Sequence, residues 1–402
     1  MTTLRQLIFL ILLGPLAHGL TLREALEQGL GAHALLESAA ARVRGAEGLA
    51  AQSALKPNPR LFLQSENARA WGRPGFQYGQ DADSFLYASQ VNETGGKRAA
   101  RVAAAQAGVQ RTAAERDALR WQLAGRIGMA YWSAAGAARY RDAFAESLRN
   151  FDLTVQYHRD RVKEGVMAEV DVLRVQLESE RLRAAYRTAE QDAVTARIRL
   201  FRDMGLADQP GVGFTEPMEV LPEVERPGDG VGQRPDLLPL RQAIRQANAN
   251  VRLQQSNARP DPEVLAGYKR TSGYNTVITG VQINLPFRNR NEGNIAAAAA
   301  DVTVATAAER AAERVARAEA EAAYTNYEAR RGLVTGALPA LRERAREIAR
   351  ISNAAYREGG ADLLRLLDAE RGRIEADLLY FRALTEFHLA VVELQTALGI
   401  LR

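Results

Sequence analysis

The sequence contains two copies of one unit, and this duplication constrains the fold more than any other feature. Three short segments of the first half recur, in the same order, in the second half. The pairs are residues 56–59 and 259–262, 161–165 and 355–359, and 203–206 and 397–400. The last two pairs share one offset along the chain. Because a repeat fixes the architecture before any single element is assigned, each half should fold into the same set of elements.

Long helices are predicted to make up most of each unit. Only 6% of the residues are aromatic, and the chain is rich in Ala, Arg, Glu and Leu, which is typical of long helices that pack through small residues. The predicted helical hairpins pair residues 97–164 with 166–204, and residues 295–358 with 361–398. The longest helix would reach about 100 Å. Apolar residues recur at spacings of three, four and seven, which indicates a coiled coil.

Shorter helices should lie beside these long ones, at about residues 21–55 and 236–257. Each long helix is then expected to pack against two shorter helices stacked end to end. Glycine and proline near mid-length are expected to interrupt the long helices. The positions concerned are Gly125, Gly128, Gly336 and Pro339.

Four short segments carry strand patterns, in two pairs. They lie at about residues 60–67 with 84–92, and about 263–270 with 276–285. In the second strand of the first pair, one side of the strand carries Phe85, Tyr87 and Val91, and the other carries Ser84, Gln90 and Asn92. In the second strand of the second pair, one side carries Val277, Val281, Ile283 and Leu285, and the other carries Thr276, Gln282 and Asn284. One apolar and one polar face suits a half-buried strand, and it also suits a strand of a membrane β-barrel.

Four strands are too few to close a barrel. In lipid an open sheet edge is not tolerated, because its unpaired backbone groups find no water. If these strands lie in a membrane, several chains must therefore each contribute four strands to one ring. Three copies would give twelve strands and four copies sixteen.

The predicted organisation follows the repeat. Residues 1–19 have the pattern of a signal peptide, with Arg5 before an apolar run and small residues at the end, so export is expected. The first repeat is 20–207, comprising a helix, a β-hairpin at about 60–92 and the helical hairpin 97–204. A Pro/Gly-rich connector follows at 208–235. The second repeat is 236–402, with a β-hairpin at about 263–285 and the helical hairpin 295–398.

Composition argues against several classes of function. The net charge is +5, with Arg and Glu interspersed along the helices, which is typical of solvated helix faces and not of a nucleic-acid site. The chain has no cysteine and four scattered histidines, so no metal site and no cofactor is expected. His388 should be a packed or surface residue. No nucleophile–base pair is found, and the chain is not expected to be an enzyme.

The ordered set of motifs resembles a known family, the TolC-like outer membrane factors of Gram-negative efflux and type I secretion systems. The resemblance rests on the duplicated unit, the Pro-x-Pro starts of strands one and three, the helix restart at 285–290, and the hairpin ends at 164–173 and 356–369. It implies a mainly α fold with a small membrane β-barrel, in which a homotrimer forms a twelve-stranded barrel continued by a periplasmic α-helical barrel. It also implies location in the outer membrane lipid, extending into the periplasm. The implied partners are a periplasmic membrane-fusion adaptor and an inner-membrane pump of RND or ABC type.

The resemblance also implies functional residues at the hairpin ends. Four match a periplasmic gate that closes the channel, and four match the turn that contacts the adaptor. The gate candidates are Asp171, Tyr356, Arg365 and Asp368; the docking candidates are Gly165, Val166, Gly359 and Gly360. Arg365 replaces an acidic residue frequent in relatives, so an ion pair from Arg365 to Asp171 or Asp368 is one way to lock the end. Ordinary solvated charges and helix-terminating glycines are the alternative interpretation.

A second class of function stays open on the sequence alone, namely an exported structural coiled-coil protein such as an adhesin or a periplasmic adaptor. The strand hairpins within each repeat argue against it. The cargo of a channel is also open, because a passive duct takes its specificity from its pump and adaptor. Drugs, metal cations, solvents and polypeptides all remain candidates.

Overall fold

The computed structural model describes residues 19–68 and 75–401. The predicted signal peptide therefore lies outside the described residues except for Gly19, as does most of the first hairpin connector. The helices are α1 (Leu22–Gly31), α2 (Ala34–Ser53), α3 (Tyr78–Asp81), α4 (Lys97–Lys163), α5 (Glu169–Met204), α6 (Leu238–Asn257), α7 (Glu292–Gly332), α8 (Leu338–Arg357) and α9 (Leu363–Ala397). The strands are β1 (Gly19–Leu20), β2 (Arg60–Glu66), β3 (Asp83–Val91), β4 (Gly213–Phe214), β5 (Pro262–Thr271) and β6 (Tyr274–Ile283). None of the described helices combines the length and the apolar content that crossing a membrane requires.

The chain forms two compact units, and each draws on both sequence repeats. The first unit comprises the described residues of Met1–Glu37, Leu119–Arg234 and Ala316–Arg402. The second unit comprises Ser38–Ala118 and Pro235–Val315. The four-stranded sheet lies in the second unit, and the ends of both helical hairpins lie in the first.

The helix expected over residues 21–55 is two helices. A capping box begins α1, in which the Thr21 side chain accepts from the Glu24 N–H and the Glu24 carboxylate accepts from the Thr21 N–H. His33 separates the two helices, and its Nδ1 accepts from the N–H of Leu35 at 3.2 Å. An imidazole nitrogen here takes the place of the usual Ser or Asp oxygen at the start of α2, which the sequence pattern did not indicate.

The glycines of α4 do not interrupt the helix as predicted, because α4 is continuous. They let α9 approach closely. A Cβ atom at Gly125 or Gly128 would lie 3.0 Å from Thr396 or Val392, and one at Gly136 would lie 2.3 Å from Thr385. The interruption predicted in the second repeat is confirmed, since a π-helix, Leu333–Ala337, separates α7 from α8 and a proline stands in the first turn of α8.

The main sheet is antiparallel throughout, in the order β2-β3-β5-β6. Directly paired residues point to the same side, so the register assigns every side chain to a face. One face is mostly apolar and exposed, and its polar residues include a row of Ser65, Ser84, Arg270 and Asn275 next to the hairpin turns. It carries Leu61, Leu63, Leu86, Ala88, Val264, Ala266, Tyr268, Val277, Val281 and Ile283. Leu63 and Val277 each expose 80% of their surface.

The opposite face is mixed, and it corrects one prediction. Phe85 pairs with Lys269, whose ammonium lies 5.1 Å from the ring centre, and Tyr87 pairs with Phe62, with ring centres 5.0 Å apart. The predicted separation of Phe85, Tyr87 and Val91 from Ser84 and Gln90 is confirmed. The first three lie, however, on the face that carries most of the charged residues, and not on the more apolar face. The alternation misled because β3 has apolar residues on both faces. The apolar set predicted for β6 is confirmed at Val277, Val281 and Ile283.

The Pro-Asp-Pro start of β5 is anchored by its aspartate. Asp261 accepts from Lys97 Nζ at 2.6 Å and from the Thr94 N–H at 2.8 Å. The Thr94 hydroxyl donates to the Pro260 carbonyl at 2.5 Å. This motif thus fixes the beginning of α4 to the beginning of β5, within the second unit.

The connector packs against the core of the first unit. β4 pairs in parallel with β1. The Tyr131 hydroxyl donates to the Leu20 carbonyl at 2.9 Å, and the Tyr327 hydroxyl donates to the Pro222 carbonyl at 3.2 Å. His388 Nε2 donates to the Met218 carbonyl at 2.8 Å. The bonds from Tyr327 and His388 hold the Pro/Gly-rich segment along the helices, and the bond from Tyr131 holds β1, with which β4 of that segment pairs.

Candidate functional site at the hairpin ends

Both long hairpins turn on the same backbone motif. Gly165 and Gly359 follow α4 and α8 with φ angles of 74° and 77°, a left-handed conformation that favours glycine. In each case the N–H of the next residue bonds back to the carbonyl five positions earlier, from Val166 to Arg161 and from Gly360 to Ala355. This is the Schellman arrangement. The glycines end the helices, and Val166 is left exposed at the turn.

The helices that follow the two turns begin differently. Asp362 caps α9, since its Oδ1 accepts from the Arg365 N–H at 2.8 Å. Ala168 precedes α5 and offers no side-chain cap. Asp171 stands in the first turn of α5, where a carboxylate interacts favourably with the helix dipole. It also lies 3.6 Å from Arg174 in an ion pair.

Within the described part of one protomer, no hydrogen bond or ion pair joins the predicted gate residues to one another, although the Asp171 carboxylate is close enough to Tyr356 to affect its pKa. Arg365 and Asp368 are both exposed on α9. In the described part of the protomer, the Arg365 side chain forms no ion pair with Asp171 or Asp368, so the lock considered from the sequence does not form inside one chain. Tyr356 differs from the other three because it is half-buried and its hydroxyl is bonded.

An apolar cluster lies next to the hairpin ends. It draws on three helices and buries Phe151, Val155, Val175, Leu363, Leu366, Leu367 and Ile374. Tyr356 of α8 packs against it. The spacing of these residues is the coiled-coil seam expected from the sequence, so one apolar cluster holds the two hairpins side by side.

His158 is a buried member of this site that the sequence reasoning missed. Its side chain is fully buried, its Nε2 lies 2.7 Å from the Tyr356 hydroxyl, and its Nδ1 lies 2.7 Å from the Thr154 carbonyl. The rings of His158 and Tyr356 stack with centres 5.5 Å apart. The sequence did contain one hint of this contact. His158 occupies a position of the apolar seam between Val155 and Val162, and a polar residue buried there needs a hydrogen-bond partner.

A second polar contact also joins the two hairpins. Arg371 of α9 pairs with Glu178 of α5 through two hydrogen bonds, one of them from Nε to Oε2 at 3.0 Å. The hydrogen bond from Arg371 lowers the pKa of Glu178. Burial raises the pKa of Tyr356, with smaller contributions from Tyr157 and the Asp171 carboxylate. Sequence alone gave no sign of the Glu178–Arg371 pair, because it depends on how two distant helices pack.

A groove of 650 Å³ opens beside this cluster between α4, α8 and α9. Its floor includes Phe151, Leu366 and Tyr356, and its rim carries Arg357 and Arg373. Across the described residues, no group of three or more His, Cys, Asp or Glu side chains is arranged to hold a metal ion.

Comparison with known proteins identifies the family. The sequence model described as "Outer membrane efflux protein" matches residues 25–206 and 230–400. The nickel-cobalt-cadmium resistance protein NccC of Alcaligenes xylosoxydans xylosoxydans is 29% identical over 291 residues, which cover 70% of this chain and 64% of that protein. The cobalt-zinc-cadmium resistance protein CzcC of Cupriavidus metallidurans is 26% identical over 286 residues, 69% of this chain and 65% of that protein. The matches thus span just under two thirds of these relatives.

Solved structures share the fold. The outer membrane protein VceC of Vibrio cholerae has a TM-score of 0.74 at 21% identity, with 94% of this chain and 96% of that chain covered. CusC has a TM-score of 0.75 at 17% identity, with 94% and 92% covered. The predicted mainly α fold with a small set of strands is confirmed, as are the outer membrane location and the expectation that the chain is not an enzyme. By sequence and by fold, the chain belongs to the outer membrane efflux protein family.

Proposed function

We propose that this chain forms the outer membrane exit duct of a tripartite efflux system, and that it conducts cargo passively from the periplasmic side to the exterior. One observation carries the proposal, namely the four-stranded sheet with an exposed apolar face. Its edges in the described chain are β2 and β6. An apolar face suits lipid, and in lipid both edges must be paired by strands of other copies.

Three copies would supply the missing strands. Twelve strands then form one closed barrel, with the apolar face of each sheet towards lipid and the mixed face towards water. The long helical hairpins of the three copies would surround a periplasmic passage. Family membership supports this arrangement, and it supports a periplasmic adaptor and an inner-membrane pump of RND or ABC type as partners.

The hairpin ends are the proposed gate and docking site. Asp171, Tyr356, Arg365 and Asp368 form the gate, and three copies of Asp368 around one axis would make a carboxylate ring that favours cations. The exposure of Arg365 and Asp368 supports contacts between copies, since both side chains are free to reach a neighbouring chain. Gly165, Val166, Gly359 and Gly360 form the turns that contact the adaptor.

Divalent transition-metal ions are the proposed cargo of the system. The support is the pair of relatives named for resistance to nickel, cobalt, cadmium and zinc. A host that lacks this gene should grow more poorly than its parent in cobalt, zinc or cadmium salts, and plasmid-borne wild type should restore growth. Equal growth of both strains in all these metals would contradict the metal cargo while leaving the duct intact.

The duct itself is tested by the mass and symmetry of the detergent-extracted protein. Native mass spectrometry should report a trimer, and class-averaged electron microscopy should show a three-fold particle about 130 Å or longer. A monomer or dimer that needs no detergent would contradict the barrel. The exported structural coiled-coil protein would then be the better interpretation.

A further inference from the structure

We propose that His158 is a positioning residue of the periplasmic gate, which holds the Tyr356 hydroxyl and thereby ties the first helical hairpin to the second. The inference rests on the proposed function and deepens it by naming how the closed state is held. His158 lies on α4, within two turns of Gly165, and Tyr356 lies on α8, within one turn of Gly359. The contact therefore sits just behind both hairpin ends.

The hydrogen bonds fix the tautomer of His158. The Thr154 carbonyl can only accept, so the nitrogen 2.7 Å away, Nδ1, carries the hydrogen and donates it. Nε2 is then the one acceptor of the ring, and the Tyr356 hydroxyl donates to it at 2.7 Å. Because the ring is fully buried, water cannot replace Tyr356 while the hairpins stay packed. Separating α8 from α4 would break this bond.

Two links of different chemistry join the hairpins. His158 and Tyr356 join α4 to α8 through a buried bond between neutral groups, and Glu178 and Arg371 join α5 to α9 through an ion pair in which Arg371 is almost half exposed. Salt screens exposed charges and has little effect on a buried neutral bond. Added salt should therefore weaken the link between Glu178 and Arg371 and leave the bond between His158 and Tyr356 in place.

The experiment measures single-channel opening of purified trimers in planar bilayers. Tyr356→Phe removes one oxygen atom, and His158→Phe removes the acceptor while keeping a ring to stack. Each variant should raise the open-to-closed ratio about fivefold, the value of one hydrogen bond. The double variant should open no more than the more open of the two single variants, because both changes remove the same contact.

Rescue by a conservative variant separates positioning from simple packing. His158→Gln retains a side-chain acceptor and should open as rarely as wild type, whereas His158→Phe should open more often. Tyr140→Phe on the same helix is the matched control and should behave as wild type.

The outcomes distinguish this inference from the proposed function. Wild-type protein that forms no conducting particle overturns the duct and this inference with it. Conducting channels in which Tyr356→Phe opens as wild type does, or in which the single effects add independently, overturn this inference alone. His158→Gln channels that open as readily as His158→Phe channels do the same.

Discussion

Two buried histidines of the first unit show how the same residue type can serve a fixed region and a separable one. His388 stacks on Trp132, with ring centres 3.7 Å apart, and its Nε2 bonds to the backbone carbonyl of Met218 in the connector. His158 stacks on Tyr356 at 5.5 Å, and its Nε2 bonds to a side-chain hydroxyl on the other hairpin. One ring is joined to a backbone that is itself held at several points. The other is joined to a single group that can rotate away.

The difference extends to the helices around them. Near His388, three glycines of α4 let α9 approach so closely that an added Cβ atom would meet its side chains. Near the hairpin ends, Gly372 of α9 has open space where a Cβ atom would be. Close packing resists opening, and looser packing permits it. We therefore expect the connector core to govern stability and the hairpin ends to govern opening.

The largest effect is expected at Trp132. Trp132→Ala removes a nearly fully buried ring and the surface on which His388 stacks. The free energy of unfolding should fall by about 3–5 kcal/mol, through lost burial and a cavity. Thermal or guanidinium unfolding of the purified protein measures it. Leu153→Ala, at a side chain that is 71% exposed on the same helix, is the control and should change little. Equal losses at the two positions would contradict the comparison.

The next effect concerns the glycine contacts. A Cβ at Gly136 would lie 2.3 Å from the Thr385 side chain, so Gly136→Ala should cost about 1–3 kcal/mol despite the better helix propensity of alanine. Gly372→Ala, where nothing lies nearby, should instead stabilise by about 0.5–1 kcal/mol. The sign of the two changes is the measurement that matters. Stabilisation by both would mean that α4 and α9 do not approach as closely as described.

The third prediction concerns pH. Burial lowers the pKa of His388, so the folded state holds this ring neutral at pH values where the unfolded chain is already protonated. The unfolded state then binds more protons, and stability is lost as pH falls below about 6.5, with a slope of at most about 1.4 kcal/mol per pH unit from this residue. Unfolding measured between about pH 7.5 and pH 5 tests it. His388→Phe should be less stable at high pH and should show a smaller loss on acidification.

Sequence reasoning reached the fold because the fold is encoded in local periodicity. Three features could be read from residues that are close together in the sequence. They are the apolar seam of α4 and α9, the alternation in β6, and the glycines at 165 and 359 that end helices. On β3 the sequence separated the two sets of side chains correctly but did not show which face is the more apolar, because Phe85 and Leu86 are both apolar and only pairing with β5 decides the face.

The candidate site was harder to predict for a related reason. The gate residues came from resemblance, and no hydrogen bond or ion pair joins them to one another in the described part of one protomer. The contacts that do join the hairpins, His158 to Tyr356 and Glu178 to Arg371, span nearly half the chain. No local spacing encodes such pairs. A polar residue on an otherwise apolar seam was the one available hint, and it pointed to His158.

The smallest effect is expected at Glu178. Glu178→Gln removes the ion pair with Arg371, which should contribute only about 0–1 kcal/mol because the Arg371 side chain is 46% exposed. Opening of the wild-type channel should therefore rise modestly between about 0.1 M and about 1 M salt, as screening weakens the pair, and Glu178→Gln should lose that dependence.

Glu347→Gln, which breaks an exposed pair within α8, is the control and should keep the wild-type salt response. Tyr356→Phe should also keep it, since the bond it removes is buried and neutral. A salt response that survives Glu178→Gln but disappears in Tyr356→Phe would reverse the roles assigned to the two links.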